Sequence, residues 1–586
     1  MQETLTDTYT IPQEHVDFCA TIKQIAQEKI APRSAEIDER AEYPWDIRKV
    51  LAEQDILGLP FPTEYGGTGT GTLMLNMGVE EIAKVDAACA LILMVQELGT
   101  LPIQLFGSEE LKARFLPKCA SGEWSPAFAL SEPEAGSDPA GMQTTAVWDG
   151  DTHEGKPTGP GEWVINGTKN WITNLGVADF YITFAVTDRE SKRITAFVVE
   201  ADRPGFSVGK LEHKLGIRAS PTGQPIFEDV RVPQENVIGE VGRGMRVALG
   251  TLERTRLGAA AQAVGIAQGA TDYAVAYARE RKQFGKPISD FDLIRKKIGD
   301  IATQTFVAES MAFRTAGLLD ARAATIDPND PQVQKKQVDA IEEHSIEASI
   351  IKVFGSEILH ATADETLQIF GGAGYIEDYP IERVSRDARI NRIFEGTNEI
   401  NRLLVPGTML KRALTGRLAL MKLVGEVQQE LADPIKIDRR VPDGPLGRER
   451  KKCDFAKRAI AYAASLGVQK YMQQISEKQE LLGVLADALI LTFGMDSAIS
   501  RTLQLIAAKG EAGSQIPLYM TQLFVANAHE RVFEMLREML MWMSQDEEWG
   551  REVRDINTYY SLDRVNTFSL RRKIARHVIE AGGYAL

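Results

Sequence analysis

Cysteine is scarce: Cys19, Cys89, Cys119 and Cys453 are the four in 586 residues, and no two of them form a CxxC pair. This scattered spacing excludes a disulfide framework and fits a reducing compartment. The seven histidines are dispersed as well, without an HExxH motif or a paired Cys/His cluster. The sequence therefore gives no support to a metal site.

Long apolar runs and an excess of positive charge are also missing. The longest purely apolar run, residues 87–95, is far shorter than the roughly 20 residues that span a bilayer. The formal net charge of −15 argues against a general affinity for nucleic acid or anionic lipid. The acidic, polar start of the chain does not resemble a targeting segment. We expect a cytoplasmic protein in a bacterium, or a mitochondrial matrix or inner-membrane-face protein in a eukaryote, with no nucleic acid partner.

The residues that are present, 44% hydrophobic and 25% charged, are typical of a globular protein, and the length is enough for several domains. Helical periodicity, then β-branched runs separated by turns, then helical periodicity again follow one another along the chain. The pattern predicts an α+β, mainly helical fold. Its expected parts are an N-terminal helical domain (1–123), an antiparallel β-domain (124–238), a helical bundle (239–424), a linker (425–452) and a C-terminal helical domain (453–586).

Two motifs in the β-rich part could approach a flat ligand. Residues 128–138 enter a turn dense in small residues and hydroxyls, where glycine removes the Cβ obstacle, although an ordinary strand-to-loop turn has the same composition. Asn166-Gly167 indicates a hairpin, and we expect Trp171 and Thr173 on one face of the returning strand. An indole beside a hydroxyl suits packing against an aromatic ring, but a core tryptophan is the alternative.

Two further motifs lie in the helical part. Residues 278–287 end a helix with positive charge, where Arg281 would either compensate the helix dipole or grip a pyrophosphate. Residues 368–402 combine a glycine-rich stretch with Glu395, which is followed by Thr397 in position to cap the next helix. A carboxylate in that place could equally complement the helix N-terminus.

In residues, order and spacing, these four motifs resemble the acyl-CoA dehydrogenase family. The resemblance covers about residues 13–414 and includes Glu64-Tyr65-Gly66-Gly67 and Leu116-Pro117, and the C-terminal extension resembles that of the very-long-chain branch. It implies an FAD-dependent oxidoreductase that converts straight medium- or long-chain acyl-CoA to trans-2-enoyl-CoA in fatty acid β-oxidation. It further implies a homodimer with FAD at the subunit interface, and an electron-transfer flavoprotein as electron acceptor.

The resemblance also implies a role for each matching residue. Glu395 corresponds to the base that removes the α-proton while the β-hydride passes to flavin N5. Contacts to FAD are implied for Leu130, Ser131, Gly136, Ser137, Trp171, Thr173, Thr397 and Glu399, and, from the neighbouring subunit, for Arg281, Phe284, Gln368 and Gly372. Contacts to the substrate are implied for Ser137, Gly374 and Tyr375, with Ala90 and Met94 leaving a deep apolar pocket for the acyl chain.

Two other functions stay open at this point. An acyl-CoA oxidase would pass the electrons to O₂, and a flavoprotein scaffold would bind FAD without turnover. The intact Glu395 and the complete set of cofactor motifs favour catalysis over a scaffold. Thr255 lies where two branches of the family place an alternative base, so no second carboxylate competes with Glu395 there.

A basic cluster occupies the predicted linker of this acidic chain. Its members are Lys436, Arg439, Arg440, Arg448, Arg450, Lys451 and Lys452. Basic residues near an anionic surface favour binding, but Pro442 and Pro445 prevent a continuous amphipathic helix. We therefore expect at most peripheral, salt-sensitive contact with a membrane.

Overall fold

The computed structural model describes residues 10–153, 156–561 and 565–585. Its N-terminal part is helical: α1 (Gln13–Ile25), α2 (Ser34–Arg40), α3 (Trp45–Glu53), α4 (Gly71–Ala83), α5 (Ala87–Phe106) and α6 (Glu109–Ala120). Polar side chains fix where the last two of these helices begin. The carboxylate of Asp86 accepts the backbone N–H of Cys89 at the start of α5, and the hydroxyl of Ser108 accepts that of Leu111 at the start of α6.

A sheet of nine strands follows. The strands are β1 (Pro126–Ala129), β2 (Thr145–His153), β3 (Lys156–Thr168), β4 (Ile172–Thr173), β5 (Phe180–Asp188), β6 (Arg193–Glu200), β7 (Phe206–Leu211), β8 (Thr222–Pro233) and β9 (Val237–Ile238). Their order is β4-β8-β3-β2-β5-β6-β9, with β1 beside β5 and β7 beside β8. Most pairs are antiparallel, as predicted, but β1 pairs with β5 in parallel and β2 makes one parallel bridge to β5.

The prediction of a hairpin at Asn166-Gly167 is wrong. Strand β3 runs on through both residues to Thr168, and a bulge between Ile165 and Gly167 absorbs the irregularity in its pairing with β8. The glycine is needed for close packing rather than for a turn. Its φ is +150°, and a Cβ at this position would lie 2.5 Å from Oγ1 of Thr144.

A long central helix organises the bundle that follows. The helices are α7 (Gly244–Glu280), α8 (Asp292–Ala323), α9 (Val333–Glu343), α10 (Ser345–Phe370), α11 (Pro380–Ala388), α12 (Asn398–Leu414) and α13 (Leu420–Ala432), with a hairpin of β10 (Lys282–Gln283) and β11 (Lys286–Pro287) after α7. Helix α7 packs against α4, α5, α8 and α10. A Cβ on Gly265 or Gly269 would overlap the backbone oxygen of Glu80 or Lys84, so glycine permits this close approach of α4.

The C-terminal extension is helical, as predicted, and consists of α14 (Gly447–Tyr471), α15 (Gln479–Gly513), α16 (Gln515–Met543), α17 (Asp546–Asn557) and α18 (Thr567–Ala581). Residues 433–446 separate α13 from α14, within the interval expected to be a linker. One hydrophobic cluster runs from Phe306 and Phe354 of the bundle to Phe524 and Leu536 of the extension. The extension therefore completes the core of the bundle.

Two helices of the described chain, α5 and α15, are long and apolar enough to cross a membrane by length and composition. In each, most of the apolar window is buried inside the protein, 78% for α5 and 61% for α15. Such burial is typical of the core helices of a globular domain.

Candidate active site

Glu395 lies on a left-handed turn between the short helix Arg389–Arg392 and α12. Its φ is +57°, and that of the following Gly396 is +84°. Oγ1 of Thr397 then accepts the backbone N–H of Ile400 at 3.4 Å, which confirms the predicted cap of α12. A left-handed backbone is uncommon for a residue other than glycine, and active sites are among the places where such strained residues cluster.

The carboxylate of Glu395 is partly buried and has one short hydrogen bond. Thr255 of α7 donates its hydroxyl to Oε2 of Glu395 at 2.8 Å. Burial raises the pKa of Glu395 above its ordinary value, while the hydrogen bond from Thr255 and the charges of Arg256 and Lys352 oppose this rise. A carboxylate with a raised pKa is suited to act as a general base.

Donors from three helices hold the backbone of this turn. Nε of Arg256 donates to the carbonyl oxygen of Glu395 at 3.3 Å, and Nδ2 of Asn401 donates to that of Gly396 at 2.8 Å. Nζ of Lys352 donates to the same oxygen of Gly396 at 2.6 Å. These three donors were not among the residues predicted from sequence. The one signal available for Lys352 is its position, a single cation inside an apolar run of α10.

The first two predicted motifs meet in the β-domain. The backbone N–H of Asn170 donates to the carbonyl oxygen of Ser131 at 2.9 Å. Nζ of Lys169 donates to the carbonyl oxygen of Leu130 at 3.3 Å and to Oε1 of Glu132 at 2.7 Å. The turn after β1 and the segment before β4 are thereby joined into one surface.

The ion pair of Glu132 with Lys169 lies almost entirely out of solvent. Burial alone would raise the pKa of Glu132, but the charge of Lys169 and the backbone N–H of Gln143 hold it below its ordinary value. Burial lowers the pKa of Lys169 to about 8. Because breaking a buried pair leaves an uncompensated charge, each partner stabilises the shape of the two segments only while the other is present.

The Trp171 side chain is open to solvent beside this surface. Trp171 has a φ of +56° and precedes β4, so the expectation that it shares a strand face with Thr173 is wrong. Its side chain is 56% exposed, which excludes the alternative of a core tryptophan. Gly136 and Ser137 are exposed, and a Cβ on Gly136 would meet nothing within 4 Å. An open indole, hydroxyl groups and a turn without steric obstruction fit a flat, polar-edged group such as a flavin.

The residues expected to reach a neighbour's cofactor lie at two exposed helix ends. Arg281 follows α7, and Phe284 sits at the tip of the β10–β11 hairpin with a φ of +51° and 93% of its side chain exposed. Gln368 and Gly372, at the end of α10, are exposed as well. All four residues are therefore open to solvent in the single chain.

Gly374 and Tyr375, the residues expected to contact the thioester, are the last two residues of a short helix, Gly371–Tyr375. The Tyr375 ring is 84% exposed. A Cβ on Gly374 would lie 2.7 Å from the carbonyl oxygen of Leu367, so this position requires glycine for packing whether or not it contacts a ligand.

Met94 and Ala90, the two residues expected to shape the acyl pocket, lie in different surroundings. Met94 is partly buried and packs beside Gly258: a Cβ added to Gly258 would lie 3.9 Å from Cγ of Met94. Gly258 lies one helical turn beyond Thr255 on α7. Met94 and Phe394, the neighbour of Glu395, pack against the same hydrophobic cluster. Ala90 is fully buried within that cluster. The structure therefore brings Met94 near the base and places Ala90 in the core of the N-terminal helices.

Family models cover most of the chain. They are described as the acyl-CoA dehydrogenase N-terminal domain (residues 12–123), middle domain (127–230) and C-terminal domain (242–410), and a further acyl-CoA dehydrogenase C-terminal domain (455–551). The chain belongs to the acyl-CoA dehydrogenase family. The match at 455–551 accounts for the extension beyond the bundle.

Two members of the acyl-CoA dehydrogenase family match over nearly the full length of this chain, and a third structure matches over part of it. A probable acyl-CoA dehydrogenase of Bacillus subtilis is 35% identical over 576 residues, 98% of this chain and 95% of the relative. The crystal structure of an acyl-CoA dehydrogenase complexed with FAD from Bacillus anthracis matches with a TM-score of 0.92 at 34% identity, covering 99% of this chain and 98% of that one. A chain in a structure described as the electron transferring flavoprotein of Acidaminococcus fermentans matches with a TM-score of 0.62 at 36% identity, over 70% of this chain and 99% of that one.

Membership of the acyl-CoA dehydrogenase family confirms the predicted fold class and the prediction of an FAD-dependent oxidoreductase. The turn after β1 and the segment before β4, which carry the exposed Ser137 and Trp171, would suit a flat group such as FAD.

Proposed function

We propose that this acyl-CoA dehydrogenase converts straight medium- or long-chain fatty acyl-CoA to trans-2-enoyl-CoA in fatty acid β-oxidation, with Glu395 as the base. The observation that carries the proposal is the setting of Glu395: a partly buried carboxylate on a left-handed turn, bonded to Thr255 at 2.8 Å. Its raised pKa brings it closer to the weak carbon acid that it must deprotonate.

The chemistry follows from the position of the carboxylate. The α-proton of an acyl thioester is acidic because the thioester carbonyl can accept the negative charge that its removal leaves on the α-carbon. Oε2 of Glu395 already accepts a hydrogen bond from Thr255, so we propose that Oε1 accepts the α-proton of the substrate. FAD, when bound, supplies the acceptor for the hydride that leaves the β-carbon. An apolar acyl chain would displace water from the site and favour proton transfer further.

We assign the contacts to FAD to Leu130, Ser131, Gly136, Ser137, Trp171, Thr173, Thr397 and Glu399, and, across a homodimer interface, to Arg281, Phe284, Gln368 and Gly372. The exposure of Phe284, together with that of Arg281 and Gln368, supports a contact with a second subunit. Light scattering should therefore give a flavinated dimer. A monodisperse, fully flavinated monomer would contradict the shared site.

For the substrate, we infer a thioester wall formed by Gly374 and Tyr375, with Ser137 near the CoA moiety. Met94 supports an apolar pocket because it packs beside Gly258, one helical turn beyond Thr255 on α7. The role of Ala90 is less direct, since its side chain contributes to the core that backs the pocket. An electron-transfer flavoprotein is the proposed acceptor, supported by the similarity to a chain in the Acidaminococcus fermentans structure.

We further propose a cytoplasmic enzyme with at most peripheral, salt-sensitive membrane contact. Acidic partners compensate part of the basic cluster: Lys436 pairs with Asp433 at 3.3 Å and Arg440 with Asp438 at 3.0 Å. Arg439 donates to a backbone oxygen of the C-terminal extension at 3.0 Å. A cluster neutralised in this way offers fewer free charges to an anionic surface.

Anaerobic titration of the purified protein with saturated acyl-CoAs, from short to very long chains, tests the function. Loss of flavin absorbance with medium or long chains is the expected result. A strong preference for short chains would overturn the assigned chain length. Rapid O₂ consumption by the reduced protein would indicate an oxidase, and full FAD occupancy without bleaching by any acyl-CoA would indicate a scaffold.

A further inference from the structure

Lys352 is buried in the first half of α10, with 1% of its surface exposed. The residues around it in the helix are apolar: Ile350, Ile351, Val353 and Phe354. An ammonium group in such a place is unfavourable unless its donors are satisfied, so its presence calls for a specific set of acceptors.

Those acceptors belong to the segment that carries the base. Nζ of Lys352 donates to the carbonyl oxygen of Gly396 at 2.6 Å and to Oδ1 of Asn398 at 2.8 Å. Both oxygens are neutral. The amide of Asn398 is itself fixed, because it donates to Oγ of Ser356 and Oε1 of Glu357, each at 3.0 Å. Lys352 thus connects the rigid α10 to both sides of the cap of α12.

We propose that Lys352 is a positioning residue for catalysis: it holds the turn Glu395-Gly396 in its left-handed conformation and places a positive charge behind the base. The inference rests on the proposed function, since it concerns how Glu395 is presented to the substrate. Lys352 touches backbone oxygens rather than reacting atoms, so its effect passes through Glu395.

The left-handed turn Glu395-Gly396 depends on contacts from outside its own segment. Consecutive left-handed residues are unfavourable when the first one has a side chain, and such a conformation persists only where its surroundings determine it. The carbonyl of Gly396 receives two donors, from Lys352 and from Asn401. Asn401 lies in the helix that begins at this turn and moves with it. Lys352, on α10, anchors the turn to a separate element.

Lys352 also acts on the charge of Glu395. The charged groups that face Lys352 are Glu395 in the turn, Arg256 on α7, Glu399 on α12 and Glu357 on its own helix. Burial lowers the pKa of Lys352 to about 7. Below that pH the ammonium stabilises the Glu395 carboxylate, and above it this stabilisation is lost. An uncharged residue at position 352 therefore lacks the stabilisation at every pH, and the pKa of Glu395 rises.

Three variants test the proposal in the full-length, FAD-loaded protein. Lys352→Met keeps an unbranched chain of similar size but removes the donors and the charge, whereas Lys352→Arg keeps both. Lys112→Met is the matched control, because Lys112 is another buried lysine, paired with Glu109 at 2.8 Å on α6. The rate constant of flavin reduction and the acyl-CoA dissociation constant are measured anaerobically over a series of pH values.

We expect Lys352→Met to bind acyl-CoA like the wild type but to be reduced about 10²-fold more slowly, as a displaced catalytic group predicts. The pH midpoint of reduction should move upward. Lys352→Arg should recover most of the rate, and Lys112→Met should match the wild type. An unchanged rate and midpoint in Lys352→Met would overturn the proposal. So would a slower rate with an unshifted midpoint and no recovery in Lys352→Arg, which would show a role in folding alone.

Hydrogen exchange separates this inference from the proposed function. Exchange of the backbone amides of residues 394–398 should become faster in Lys352→Met, while the rest of α10 and the β-domain keep wild-type protection. If no acyl-CoA reduces the wild type, the proposed function fails, but the exchange result still decides whether Lys352 holds the turn. Wild-type exchange at residues 394–398 in the variant would reject that role.

Discussion

Thr255 and Glu395, 140 positions apart in sequence, share a hydrogen bond of 2.8 Å between Oγ1 and Oε2. The bond favours the charged form of the carboxylate and so opposes the burial that raises the pKa of Glu395. Thr255→Val removes the bond and keeps the shape. We expect the pKa of Glu395 to rise, which moves the onset of flavin reduction to higher pH and slows reduction on the acid side about tenfold.

Thr251→Val is the matched control for this change. Thr251 is buried one turn earlier on α7, and its hydroxyl donates to the backbone oxygen of Val247 at 2.8 Å rather than to a carboxylate. The control should keep the wild-type pH profile. Identical profiles for Thr255→Val and the wild type would show that Thr255 does not tune the base.

Glu395→Gln keeps size and polarity but cannot accept a proton. FAD and acyl-CoA should still bind, and turnover should fall by about 10³- to 10⁴-fold, as expected for loss of a positioned general base. Glu253→Gln, which changes a carboxylate two residues from Thr255, should leave turnover largely intact. Steady-state turnover and flavin content decide the question. Retention of even a tenth of wild-type kcat would rule out Glu395 as the base.

The setting of Glu395 was only partly predictable from sequence. The cap at Thr397 and the adjacent glycine are local signals, and they fix where α12 begins. Lys352 and Arg256 reach the turn from α10 and α7, which pack beside it only in the folded chain. No spacing rule connects residues that far apart, so the donors to the turn could be identified only from the structure.

The β-domain shows the same limit at the level of the backbone. Runs of β-branched and aromatic residues predicted its strands, but they did not predict the close packing of Gly167 or the left-handed backbone of Trp171. Gly167 fits closely against Thr144 of the preceding segment. Trp171 has a left-handed backbone and lies directly before β4, outside the returning strand on which we expected it. Turn propensities count residue types and do not include such packing.

The buried pair Glu132–Lys169 should be costly to break on one side. Lys169→Met leaves the Glu132 carboxylate without its cation, and we expect a loss of about 3–5 kcal/mol in the free energy of unfolding, with weaker FAD retention. The double variant Glu132→Gln/Lys169→Met should lose less, because no charge remains buried. Denaturant unfolding of the wild type, Glu132→Gln, Lys169→Met and the double variant gives the coupling energy. Losses that simply add would show that the pair does not act as a unit.

The same pair has a pH signature. The pKa of Glu132 is held below its ordinary value, so its contribution to stability is present above the ordinary carboxyl range and is lost as pH falls through the lowered pKa. In Lys169→Met the isolated carboxyl becomes protonated more readily. The difference in stability between this variant and the wild type should therefore shrink in acid.

The C-terminal extension should unfold together with the bundle rather than as a separate domain. Phe524 of α16 is buried against Phe354 of α10, with ring centroids 5.9 Å apart, and both belong to one continuous cluster. Phe524→Ala should lower the free energy of unfolding by about 3–5 kcal/mol. The variant should still unfold in one transition, at a lower denaturant concentration, with the same midpoint by flavin fluorescence and by helical circular dichroism. Phe568→Ala, at a ring that is largely exposed on α18, should cost much less.

If the helical signal of Phe524→Ala showed an early transition while the flavin remained bound, the extension would be an independent unit. A shared transition would instead mean that the acyl-CoA dehydrogenase core of this chain depends on the extension to bury α8 and α10, the second of which carries Lys352.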